Sequence, residues 1–132
     1  MRKHANYSGA DLTTFYHLTT AREWEDGKGA GAYATSTRGR TLEQQGFLHG
    51  SGAAQVAPVA NSFYADAGEP LVVLVIDSDR LTSPWQYDDV PGQPEPYPHI
   101  YGPLNPDAVV DVVPLEPGTD GKFAFEPPPA AG

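Results

Sequence analysis

The chain has 132 residues, no cysteine and a formal net charge of −9. That length suits one domain with an apolar core of its own, and the lack of cysteine removes disulfides and thiolate chemistry. The acidity argues against a broad nucleic-acid surface, because neutralising phosphates needs clusters of Lys and Arg.

Taken in order, residues 1–11 are polar and read as a flexible N-terminal tail. They lack the apolar core of a signal segment, so a cytoplasmic location is expected. A first strand is predicted over residues 14–18. Thr20 followed by Glu23 forms a capping-box pattern that opens a short helix through Trp24. The Gly-rich residues 27–31 are expected to end it and lead into an extended piece around Tyr33. Thr41 and Gln44 predict one further helical turn, closed by Gly46, and residues 47–49 read as a strand. Val56, Val59, Ala60, Phe63 and Tyr64 follow the spacing of an amphipathic helix, whose regular part begins just before Pro58.

Residues 71–76, Leu-Val-Val-Leu-Val-Ile, predict a strand apolar on both faces and therefore central. The run is far too short to span a bilayer, so no membrane partner is expected. Residues 78–96 are rich in Pro, Asp and Gly and read as one long loop, a wall or lid beside the strand that carries His99. A last strand is predicted over residues 109–113, and residues 126–132 read as a Pro-rich tail. A single domain over residues 12–125 follows. Its few helices and irregular element order make it α+β rather than doubly wound. There is neither a P-loop nor a G-x-G-x-x-G fingerprint.

Three histidines share one pattern: His17 with Thr19, His49 with Ser51 and His99 with Tyr101, each pair two residues apart. On a strand such pairs point to one face, and Phe15 and Phe47 add apolar walls beside them. If the three strands adjoin, the pairs line one pocket for a small molecule. His17, His49 and His99 would then act as acids and bases, and Tyr101 would donate to a developing oxyanion. Thr19 and Ser51 would orient the ligand, although Ser51 also suits the N-cap of the next helix. Arg22 and Arg38, with Lys28 and Arg40, form either a solvated basic stretch or a local anion site. Trp85, Tyr87 and Asp88 would face the pocket from the long loop, Asp88 as a carboxylate that orients a histidine or as a solvated acid. Neither H-E-x-x-H nor H-x-x-E-H is present, so no metal is expected.

The segments Tyr16-His17-Leu18-Thr19-Thr20 with Trp24, Gly46-Phe47-Leu48-His49-Gly50-Ser51, Val59-Ala60-Asn61 and Pro98-His99-Ile100-Tyr101-Gly102-Pro103-Leu104 resemble the family known as domain of unknown function 952. The resemblance implies a compact relative of the ADP-ribosyltransferase fold, with a split β-sheet and two or three short helices. In that superfamily a first-strand histidine helps to hold NAD, the place His17 takes here. His17 with Thr19 and His49 with Ser51 are also similar to paired strands of the RNA 2'-phosphotransferases. The function so implied is that of a small-molecule enzyme with a three-histidine pocket, using NAD. The alternatives are NAD-independent acid–base chemistry of lyase, cyclase or isomerase type, and a ligand-binding module without turnover.

Overall fold

The computed structural model describes residues 14–37 and 40–127. Strand β1 (Thr14–Thr20) runs directly into helix α1 (Ala21–Ala30). Thr20 makes the junction, its hydroxyl accepting the Glu23 N–H at 3.1 Å. The helix passes through Gly27 and Gly29 and closes only at Gly31, whose φ of 79° is left-handed. The glycine-rich stretch thus ends the helix as expected, but at its last glycine rather than its first. Tyr33 folds back on the helix, and a Cβ at Gly27 would lie 2.7 Å from its ring, so close packing outweighs the weak helix propensity of glycine.

Beyond Tyr33 come the hairpin strands β2 (Thr35–Thr37) and β3 (Arg40–Thr41) and the single turn α2 (Leu42–Gln45). Thr41 and Gln44 form a reciprocal capping box there, as their spacing predicts. Strand β4 (Leu48–His49) follows, then α3 (Val56–Phe63). Pro58 lies in the first turn of α3, where its missing N–H removes no helical bond. Val56, Val59, Ala60 and Tyr64 are buried as the periodicity predicts, but Phe63 faces outward.

The remaining strands are β5 (Leu71–Asp77), β6 (Trp85–Asp88), β7 (Tyr97–Ile100) and β8 (Val109–Leu115). The stretch expected to be one loop therefore holds a 3₁₀ turn at Ser78–Arg80 and a strand. Strand β6 pairs with β7 in register, Gln86 opposite His99 and Asp88 opposite Tyr97. Local Pro and Gly signals mark the ends of such a strand but not the partner that makes it pair.

Two three-stranded antiparallel sheets organise the chain, in the orders β1-β5-β8 and β4-β7-β6. They are stitched together where the chain leaves β4: Ser51 exchanges both backbone hydrogen bonds with Tyr16 of β1, at 2.8 and 2.7 Å. One face of the first sheet buries Tyr16, Leu18, Val73 and Val75 against α3, Tyr64 and Phe123. The other buries Phe15, Val72, Leu74 and Ile76 against Trp24, Tyr33, Leu48, Ile100 and Leu104. Covering both faces of β5 explains its unbroken apolar run, and each such side chain contributes about 1.5–3 kcal/mol of transfer free energy. The fold is thus a mixed α and β domain with short helices and antiparallel sheets. Among the described residues, no helix is long and apolar enough to cross a membrane. The reading of residues 1–11 as a tail, and that of residues 128–132 within the C-terminal one, lie outside the described residues.

Candidate functional site

His49 and His99 stand directly opposite each other on β4 and β7. The neighbouring Gly50 N–H donates to the Pro98 carbonyl at 2.8 Å, which makes the two histidines a non-hydrogen-bonded pair. Side chains approach most closely at such positions. Their rings lie 5.3 Å apart between centroids, with Tyr97 4.9 Å from His49 on the same face. Gly50 permits the approach of the strands, since a Cβ there would meet the Pro98 carbonyl at 2.7 Å and the Phe15 ring at 3.2 Å.

His99 is 3% exposed and Phe47 lies flat on it, centroids 3.9 Å apart and 15° between planes. Its Nδ1 is 2.8 Å from Asp88 Oδ2. A carboxylate at neutral pH only accepts, so Nδ1 carries the proton and Nε2 presents a bare lone pair. That Nε2 is buried and has no hydrogen-bond partner among the described residues. Asp88 is itself held by two further donors, the Tyr101 hydroxyl on Oδ2 and Gln86 Nε2 at 2.6 Å from Oδ1. The hydrogen bonds from Tyr101, then Gln86, keep the Asp88 carboxyl below its ordinary range, with His99 adding to them. Burial lowers the His99 pKa and Asp88 opposes the shift. For His49 nothing opposes it: burial, then repulsion by His99 and His17, pulls its imidazole down to about 4. Both rings are therefore neutral at pH 7.

His17 does not join this pair. Tyr16 and Ser51 face each other across the junction, so strand alternation puts the His49 ring with Tyr16 and sends the His17 ring to the opposite face. There its Nδ1 donates to the His49 carbonyl at 2.6 Å, and its Nε2 lies 2.8 Å from the Tyr33 hydroxyl. The carbonyl can only accept, so Nδ1 holds the proton and the Tyr33 hydroxyl donates to Nε2. His17 is 2% exposed and burial lowers its pKa. Burial likewise pushes the Tyr33 phenol far up, so both stay neutral. Thr19 is buried on this same side and donates to Glu23 Oε1 at 3.1 Å.

The other candidates separate as follows. Asp88 belongs to the pair, but Trp85 and Tyr87 alternate onto the far face of β6. Trp85 packs on Phe15 with centroids 5.0 Å apart, and Tyr87 leans on Trp85. Trp85 thereby joins the core instead of a pocket wall, as burial of an indole requires an apolar face. Tyr101 is 40% exposed, and its proton goes to Asp88 rather than to open space. The Ser51 backbone joins the sheets, and the helical turn that follows starts after Gly52 instead, where Gln55 Oε1 accepts the Gly52 N–H. Arg22 is exposed and pairs with Glu69 at 3.3 Å. Arg38 lies outside the described residues.

Sequence reasoning missed Tyr33, Ser36 and Gln86. Gln86 had a usable signal, because it stands two residues before Asp88 and shares its face in any strand. Tyr33 and Ser36 reach the site only through the fold. Among the described residues, no group of three or more His, Asp or Glu side chains is placed to hold a metal ion. An open depression of about 240 Å³ lies elsewhere, lined by Tyr64, Leu71, Leu115 and Phe123, and holds none of the histidines.

The fold and the site define a small mixed α and β protein with a carboxylate-supported histidine pair. The chain belongs to the family described as Protein of unknown function (DUF952), whose family model matches residues 4–112. It is similar to the crystal structure of protein CC0527 from Caulobacter crescentus, at 25% identity and a TM-score of 0.71 over 85% of this chain and 94% of that one. The solution NMR structure of CC0527 matches at 25% identity and a TM-score of 0.67, over 83% of this chain and 90% of that one. No curated protein matches the chain.

Proposed function

We propose that this protein is a small-molecule enzyme in which the Asp88–His99 pair is a general base and His49 its neutral partner. The observation that carries the reading is the buried, unpartnered Nε2 of His99 backed by a carboxylate on Nδ1. Orphaned buried acceptors are rare and each loses its hydration without compensation, so one aimed beside a second imidazole points to a ligand that supplies the donor. A proton accepted at Nε2 creates an imidazolium that Asp88 stabilises, and the same proton can be returned to the product. Substrate reaches the pair past Phe47 and Tyr101, the two partly exposed rings at its rim. Tyr101 then acts by holding Asp88 charged and in place.

The resemblance to ADP-ribosyltransferases puts NAD first among the ligands to test. A second reading, acid–base chemistry of lyase, cyclase or isomerase type without NAD, has one observation in its favour. The titratable groups acting on His49 and His99 are Asp88 and the histidines themselves, with no Lys or Arg among the described residues. A pyrophosphate calls for such cations.

The test is a thermal-shift screen with NAD, ADP-ribose, small phosphates and uncharged heterocycles, followed by product analysis for each ligand that binds. A ligand at a hundredfold excess over its Kd should stabilise the fold by roughly 2.7 kcal/mol. His99→Ala should lower turnover by about 10²–10⁴. Turnover undiminished in His99→Ala refutes the assignment of the base, and binding without product by every ligand favours the non-catalytic module.

A further inference from the structure

We infer that His17 and Ser36 are positioning residues that clamp the peptide of His49 and thereby set its ring against His99. The inference builds on the histidine pair proposed above as reactive, but it is carried by separate contacts.

Strand β4 has only two residues, so a ladder of backbone bonds cannot hold it in register by itself. Because His49 and His99 form a non-hydrogen-bonded pair, the N–H and C=O of His49 point away from β7. Both are caught by side chains. The N–H donates to Ser36 Oγ at 3.1 Å, and the C=O accepts from His17 Nδ1 at 2.6 Å. Ser36 and His17 are 1% and 2% exposed, so neither bond competes with water. Tyr33 completes the device. The His49 carbonyl fixes the proton on His17 Nδ1, and the Tyr33 hydroxyl donates to the Nε2 left bare, which satisfies the ring in that one tautomer. A buried imidazole with both nitrogens spent in this way has none left for a substrate, so its use is to hold the strand.

The groups facing the His49 ring are His99 and Tyr97 of β7, with His17 behind it and Asp88 of β6 beyond His99. If the clamp opens, the ring drifts from these neighbours toward water, and burial and repulsion both relax.

The experiment follows the imidazole nitrogens of the full ¹⁵N-labelled chain by NMR from about pH 8 down to about pH 3.5, a span that brackets the ordinary histidine pKa. In the wild type His49 should titrate near 4. In His17→Phe, which keeps a ring but removes the donor, and in Ser36→Ala, its midpoint should rise by about one unit or more toward 6.5. His17→Asn, whose amide places a donor near the position of Nδ1, should restore the low midpoint. An unmoved midpoint in folded His17→Phe overturns the inference, and so does an equal rise in His17→Asn and His17→Phe, which would make loss of the repulsion from His17, common to both, the cause rather than the hydrogen bond. Should His17→Phe not fold, Ser36→Ala decides alone: a rise supports the clamp and an unmoved midpoint overturns it. A chain that titrates as expected but turns over nothing keeps the clamp and refutes only the acid–base reading.

Discussion

Acid should weaken this protein through His49 in a pH window set by one partly buried ring. Its pKa is about 4 in the fold and about 6.5 in the unfolded chain. Between those values the unfolded chain binds a proton that the folded one refuses, so stability falls as pH falls. The contribution is intact above pH 6.5, amounts to a loss of ~2 kcal/mol by pH 5, and levels off near ~3 kcal/mol below pH 4. His17 and His99 are also shifted down and add to the loss. Asp88 is shifted down too, but its contribution is lost only below the ordinary carboxylate range, outside this window. Relief of the net charge of −9 on acidification works the other way, and is shared by any variant of the ring. The comparison is therefore the wild type against His49→Phe in urea unfolding, followed by Trp fluorescence, from about pH 7.5 to about pH 5. His49→Phe should lose ~2 kcal/mol less over that range. Parallel curves would show that the fold does not hold His49 as a neutral base, and the reasoning would fall with it.

Gly50→Ala places a Cβ 2.7 Å from the Pro98 carbonyl and should destabilise the fold by about 1–3 kcal/mol, read by chemical denaturation. A neutral result would mean that β4 and β7 can separate without loss. Phe47→Ala uncovers the ring of His99, so its NMR-measured pKa should rise toward 6.5 as water returns. An unchanged pKa would assign the cover to another side chain. Leu74→Ala, fully buried at the centre of β5, should cost about 2–5 kcal/mol, and a loss below about 1 kcal/mol would contradict the burial of that strand on both faces.

Much of the fold was legible because its signals are local. The Thr20 and Thr41 caps act within three residues of themselves, and the apolar run of β5 states its own burial on both faces. The pairing of His49 with Ser51 and of His99 with Tyr101 as face-sharing residues likewise follows from the strand period of two. Asp88 could be named as a partner for a histidine because it lies in the segment that leads into His99, but that it meets the ring, and Asp79, Asp89 and Glu95 of the same segment do not, was decided by the pairing of β6 with β7. Strand β6 was hidden by its Pro- and Gly-rich flanks, since what makes residues 85–88 a strand is hydrogen bonding to β7.

The chain by itself determined the short capped helices, the central strand and the three polar pairs, all of which depend on neighbours a few residues away. Only the tertiary structure decided which histidines meet. The register between β4 and β7 sets His49 opposite His99, and the junction of Ser51 with Tyr16 turns His17 to the other face, where Tyr33 and the His49 carbonyl take both its nitrogens. A shift of one residue at either pairing would exchange every face, and nothing within the separate segments prescribes that register.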